Sequence, residues 1–113
     1  MVTHGPQNPE RATIPFVMAV TAQASGAEVV LGFQADGVSL MKKGVAEGVH
    51  FPPFPPLKEL LDSYRSAGGK LYVCGPCLQA RTITAADFVE GATQVNAATF
   101  VAEILEAVTT LVY

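Results

Sequence analysis

Cys74 and Cys77, separated by Gly75-Pro76, are the residues whose type and spacing most directly imply chemistry. Two thiols one helical turn apart can share a disulfide, handle a sulfur atom or contribute to a metal site. Cys74 comes straight off the strand-like run Leu71-Tyr72-Val73 and opens whatever turn or helix Gly75 to Arg81 forms. A cysteine there meets backbone N–H groups and the positive end of a helix dipole, both of which favour thiolate. This predicts Cys74 as the more acidic and more reactive sulfur, with Arg81, two helical turns on, adding positive charge. The plain alternative for Cys74 is a buried, inert cysteine at a strand end. Cys77 has two functional readings: it resolves an intermediate on Cys74 as a disulfide, or it lines the helix as a small apolar residue. The tetrapeptide is letter for letter that of thioredoxins. However, the tail after Cys77 has no proline and the chain has no tryptophan, so the scaffold must be a different one.

Other polar residues fall where a rim could gather them. His4, Asp36, Cys74 and Asn96 each follow a candidate strand, and in open parallel α/β sheets sites collect beyond the carboxyl ends of the strands. His4 reads as a proton relay or metal ligand, or equally as a solvated residue near the terminus. Gly5, just before a helix start, leaves N–H groups open to an anion, and Gly75 stands beside the first thiol. His50 lies in a loop and reads as solvated. Two cysteines and two histidines at this spacing match no zinc finger or ribbon, so neither a metal nor another cofactor is expected. Phe51-Pro52-Pro53-Phe54-Pro55-Pro56 reads as a stiff loop. It would pack its phenylalanines on the core, on a neighbouring subunit or over the thiol, in preference to serving a proline-recognition domain.

The elements that must position these residues alternate in type. Asn8, Pro9 and Glu10 form a helix start, and the helix runs to about Ser25 with Gly26 as its stop. Pro15 argues for a kink, or for a strand through Phe16–Val20 instead. Glu28 to Phe33 is a buried strand ending at Asp36-Gly37, and Val38 to Lys43 makes one or two helical turns closed by Gly44. Val45 to Pro56 is irregular. Leu57, Leu60, Leu61 and Tyr64 fall at i, i+3, i+4 and i+7 on a helix that Gly68-Gly69 ends. Lys70 to Cys74 is the next strand, Thr84 with Asp87 caps a short helix through Val89, and Ala92 to Val95 is another strand. Asn96 caps a last helix whose buried stripe is Phe100, Val101, Ile104, Leu105 and Val108. Leu111-Val112-Tyr113 is a terminal strand. The alternation predicts one domain over residues 1–113, with a mostly parallel sheet of four to five strands between two helical layers.

Composition sets further bounds. A net charge of −3 provides no basic field, so nucleic acid is not an expected partner. No apolar run is long enough to span a bilayer, and the N-terminus has neither a basic nor an apolar leader region, so a cytoplasmic address is expected. Only 15% of residues are charged and half are hydrophobic, which points to surface buried between subunits and hence to a homo-oligomer.

The chain also resembles the DsrE/DsrF-like sulfur-relay proteins (DsrE superfamily), which include TusD-type members. The likeness runs through Thr3-His4-Gly5-Pro6, Asn8-Pro9-Glu10-Arg11-Ala12, Ala24-Ser25-Gly26-Ala27-Glu28-Val29, Asp36-Gly37-Val38, Gly68-Gly69-Lys70-Leu71-Tyr72-Val73-Cys74, Arg81 and Gly91-Ala92. The resemblance implies a flavodoxin-like α/β/α fold, trimeric or hexameric assembly, and a persulfide on the cysteine matching Cys74. It further implies sulfur donor and acceptor proteins as partners. Two departures stand out: Thr82 occupies the place of a usual glycine, and only Met1-Val2 precede the segment where a full first strand is usual. The leading expectation is a sulfur carrier or sulfurtransferase acting through Cys74. The rivals are a dithiol oxidoreductase or redox sensor using both cysteines, and an oligomeric binding module without catalysis.

Overall fold

The computed structural model describes residues 1–113. Asn8 accepts the Arg11 N–H and so caps α1 (Pro9–Ala24), with Pro9 at a first-turn position where no N–H is needed. Pro15 lies inside this helix without ending it, so the strand alternative through Phe16–Val20 is not realised. After Gly26, which takes a positive φ, the chain enters β1 (Val30–Phe33). A 3-10 helix over Ala35–Met41 follows, then a single 3-10 turn over Ala46–Gly48. The remaining elements are α2 (Leu57–Ser66), β2 (Lys70–Cys74), α3 (Gly75–Ala80), β3 (Ala92–Val95) and α4 (Ala97–Glu106). Thr84 and Asp87 form the expected capping box, on a 3-10 turn over Ala85–Asp87.

The three strands are parallel in the order β1-β2-β3, so Cys74 ends the central one. Leu31 and Phe33 pair with Leu71 and Val73, and all four are buried. They share one core with Ala12 and Phe16 of α1 and with Leu57, Leu60, Leu61 and Tyr64 of α2, with Phe16 and Phe33 in ring contact. The i, i+3, i+4, i+7 stripe of α2 is thus its core face. On the other side of the sheet lies α4: a side chain at Gly32 would strike Phe100. This is the flavodoxin-like three-layer α/β/α arrangement.

Two expectations about the sheet and its cover need correction. The regular sheet has three strands, not four or five. Both terminal segments nevertheless lie along it. Val2 bridges Phe33 in parallel, and Tyr113 hydrogen-bonds through its backbone with Met1 and Thr3. Each is too short to be a strand, because a single residue makes the pairing. The stripe expected to bury α4 is buried only at Phe100. Val101, Ile104, Leu105 and Val108 are exposed, together with Met18, Leu111 and Val112.

Tyr64 connects the fold to the site. Its buried hydroxyl accepts the Leu31 N–H and lies at 2.9 and 2.7 Å from the carbonyls of Val29 and Lys70. One phenol thereby joins the starts of β1 and β2, the strands whose far ends deliver Asp36 and Cys74.

Candidate functional site

Gly75-Pro76 turns the chain from β2 into α3, so Cys74 is the N-cap residue of that helix and Cys77 sits in its first turn. Both cysteines are free and half-buried. The Cys74 thiol is pushed up from its ordinary value, first by burial and then by the neighbouring Cys77 thiol. The Cys77 N–H and the Arg81 charge pull more weakly the other way. This corrects the expectation of an acidic Cys74. Desolvation and a neighbouring thiol outweigh a six-residue helix's dipole and a charge engaged elsewhere.

Arg81 is engaged by Asp36. Its Nη2 and Nε lie 2.7 and 3.3 Å from Asp36 Oδ1, and its Nη1 donates to the Cys77 carbonyl at 3.1 Å. Gln7 Nε2 donates to the second Asp36 oxygen at 2.8 Å. Ala35, beside Asp36, donates its backbone N–H to Cys77 Sγ at 3.3 Å. Its φ of +49° is a conformation alanine seldom adopts. Gly5 is buried because a side chain there would collide with the Asp36 carbonyl and Gln7, so the N-terminal segment closes against this turn.

The structure therefore brings Cys74, Cys77, Arg81 and Asp36 together, with Gly5 packed behind Asp36. His4 pairs with the Thr3 hydroxyl through Nδ1 at 3.2 Å and makes no hydrogen bond to the cysteines. Asn96 caps α4, its side-chain oxygen taken up by the Thr99 N–H and hydroxyl. With Gly75, Pro76, Gln94 and Thr99 it lines a polar cleft of about 410 Å³ between the starts of α3 and α4. His50 contacts the Phe54 carbonyl in its own loop, where Phe51 and Phe54 are half-buried. No three His, Cys, Asp or Glu side chains converge as a metal site would require. Sequence reasoning missed Ala35 and Gln7. Ala35 acts through its backbone, which no residue type advertises, and Gln7 meets Asp36 across 29 positions of chain.

Comparison with known proteins decides the family. Residues 1–113 match the DsrE/DsrF-like family throughout. The chain belongs to the DsrE/DsrF-like family. It is 35% identical over 91 residues to an uncharacterized protein of Methanopyrus kandleri, covering 80% of this chain and 72% of that one. Two uncharacterized proteins of Methanocaldococcus jannaschii are similar. One is 34% identical over 92 residues, covering 81% of this chain and 77% of that protein. The other is 35% identical over 98 residues, covering 87% of this chain but 36% of that longer protein. Among solved structures, the ychN protein of E. coli superposes with a TM-score of 0.82 at 16% identity, over 99% of this chain and 94% of that one. At that identity the likeness establishes the fold. Against the family pattern, Thr82 now has a physical reading: its φ is +56°, the left-handed conformation that a glycine adopts without strain.

Proposed function

We propose that this protein accepts sulfane sulfur as a persulfide on Cys74 and passes it to the thiol of a partner protein. The observation that carries this reading is a half-buried free thiol closing the central strand of a DsrE/DsrF-like domain, with a second free thiol in the first turn of the helix that follows. In loading, the Cys74 thiolate attacks the outer sulfur of a donor R–S–SH. The donor's S–S bond breaks and its thiolate leaves with the electron pair. In unloading, an acceptor thiolate attacks the outer sulfur of the Cys74 persulfide and restores the Cys74 thiolate. Neither step needs an oxidant. Partial burial shields the persulfide from bulk solvent while leaving the outer sulfur reachable, as a relay requires.

Donor and acceptor proteins are the implied partners, in a reducing compartment such as the cytoplasm that keeps both thiols free. A second copy of the chain docks on α4, where Val101, Ile104, Leu105 and Val108 continue into Leu111 and Val112 as one exposed apolar stretch. The family resemblance implies a trimer or hexamer as the assembly. The placement of two free thiols within one helical turn favours a second reading, in which Cys74 and Cys77 cycle through a disulfide.

Intact-mass spectrometry after exposure to a sulfane donor separates the two readings. A carrier gains the mass of one sulfur atom, reversibly under reductant, and the Cys77→Ser variant keeps or increases that gain. A dithiol oxidoreductase instead loses two hydrogens, and its Cys77→Ser variant gains no lasting sulfur adduct.

A further inference from the structure

The Asp36–Arg81 ion pair is oddly placed for a group meant to stabilise sulfur at Cys74. Arg81 uses Nε and Nη2 on Asp36 and Nη1 on the Cys77 carbonyl, so its donors hold protein groups. Half of the Asp36 side chain is exposed, so the pair adds little to stability by itself. Its geometric effect is larger. Asp36 is gripped from two sides, by Arg81 on one oxygen and Gln7 on the other, and the residue before it is thereby held at a positive φ. That conformation is unfavourable for an alanine, and it is the one in which the Ala35 N–H meets Cys77 Sγ.

We infer that Asp36 and Arg81 are positioning residues for Cys77: their ion pair locks the turn so that the Ala35 N–H stabilises the Cys77 thiolate. Cys77 is then the attacking sulfur of the pair, and Cys74, one helical turn before it, is the sulfur attacked. Only the consequence for sulfur handling rests on the persulfide reading. With a persulfide on Cys74, the Cys77 thiolate attacks Cys74 Sγ. The bond to the outer sulfur breaks, hydrosulfide leaves with the electron pair, and a Cys74–Cys77 disulfide remains. The sulfane sulfur is reduced to sulfide while the two cysteine sulfurs are oxidised. A thiol reductant, of the class that reduces exposed protein disulfides, returns the dithiol.

The charged and titratable groups on the elements packed around Cys77 are Asp36 on the 3-10 helix, Cys74 at the end of β2 and Arg81 beyond its own helix. Lys70 and Tyr72 lie earlier on β2. This arrangement permits a test in which positioning and simple charge predict opposite signs. In full-length Cys74→Ser protein, the rate of Cys77 alkylation by iodoacetamide is followed against pH. Asp36→Ala leaves the Arg81 charge unpaired, so charge alone would favour the thiolate and speed alkylation near neutral pH. Positioning predicts the reverse. Loss of one N–H donor to the thiolate slows alkylation about tenfold. Asp36→Asn, which still accepts from Arg81 and Gln7, slows it less, and Ala35→Gly, which keeps the N–H and fits the positive φ, leaves it near the parent. Circular dichroism confirms that each variant is folded, and Asp36→Asn carries the test if Asp36→Ala is not. Faster or unchanged alkylation in both Asp36 variants overturns the inference. Because alkylation reads the thiol directly, its outcome is independent of sulfur loading: a protein that never loads Cys74 refutes the persulfide reading and leaves this one standing.

Discussion

Removing a single oxygen from Tyr64 should destabilise the protein by about 2 kcal/mol, although its hydroxyl lies at the start of β2 and Cys74 at the other end. The hydroxyl accepts the Leu31 N–H at 3.1 Å and has one hydrogen to give to the carbonyls of Val29 and Lys70, at 2.9 and 2.7 Å. Tyr64→Phe therefore loses about two neutral hydrogen bonds, each with a net value near 1 kcal/mol, while the ring still fills the core beside Gly69. For a domain of this size the melting temperature should fall by about 8 °C. Urea unfolding followed by far-UV circular dichroism measures the difference, with an unchanged m-value showing that the unfolding reaction is the same. The phenol also gives the effect a pH signature. Burial raises its pKa far above the ordinary value. A raised folded-state pKa contributes stability that is fully present below about 10, the unfolded value, and is lost as pH climbs beyond it. The wild type should therefore lose stability above about pH 10 more steeply than Tyr64→Phe, and the gap between them should narrow there. A loss below about 0.5 kcal/mol at neutral pH would refute the claim that this hydroxyl joins β1 to β2.

Three further outcomes follow from the same structure. Thr82→Gly should stabilise the fold by about 0.5–1 kcal/mol, because a β-branched residue is strained at φ +56°; a destabilised variant in thermal melts would show that Thr82 has a role beyond filling the turn. If the chain assembles through α4 as proposed, the double change Leu105→Glu, Val112→Glu should leave monomers in light scattering, weakening association by well over tenfold, since a buried Leu or Val contributes about 1.5–3 kcal/mol. A wild type that is monomeric across a wide concentration range would contradict it. With the Cys74 thiol raised above its ordinary value by burial, persulfide loading should keep accelerating beyond the pH at which an ordinary thiol, of pKa about 8.5, is half ionised; a plateau already reached near pH 8 would mean that Cys74 is ionised earlier than its burial allows.

Much of this architecture was legible because local patterns and tertiary contacts agree. The i, i+3, i+4, i+7 spacing from Leu57 to Tyr64 marks a face, and the core lies against that face. Asn8, Pro9 and Asn96 announce helix starts by chemistry that acts within three residues. Where the sequence misled, the deciding partner was elsewhere. The stripe from Phe100 to Val108 is a real apolar face, but periodicity says nothing of what covers it, and within one chain only Phe100 is covered. Pro15 should weaken α1, yet the cap at Asn8 and the burial of Ala12, Phe16 and Ala19 outweigh one missing bond. At the site, Cys74 was located by its strand and turn, while its raised pKa depends on burial that a linear reading cannot see. The grip of Gln7 and Arg81 on Asp36 joins three distant segments, and only the folded chain reveals it.

The most direct test of sulfur carriage is to map where the sulfur resides. Wild-type, Cys74→Ser and Cys77→Ser proteins are exposed to a sulfane donor, quenched with an alkylating agent, digested and sequenced by mass spectrometry. The account predicts an alkylated persulfide on Cys74 in Cys77→Ser, a smaller yield of it in wild type, where Cys77 discharges it, and none on either cysteine in Cys74→Ser. Persulfide confined to Cys77, or equal loading in Cys74→Ser and wild type, would contradict it.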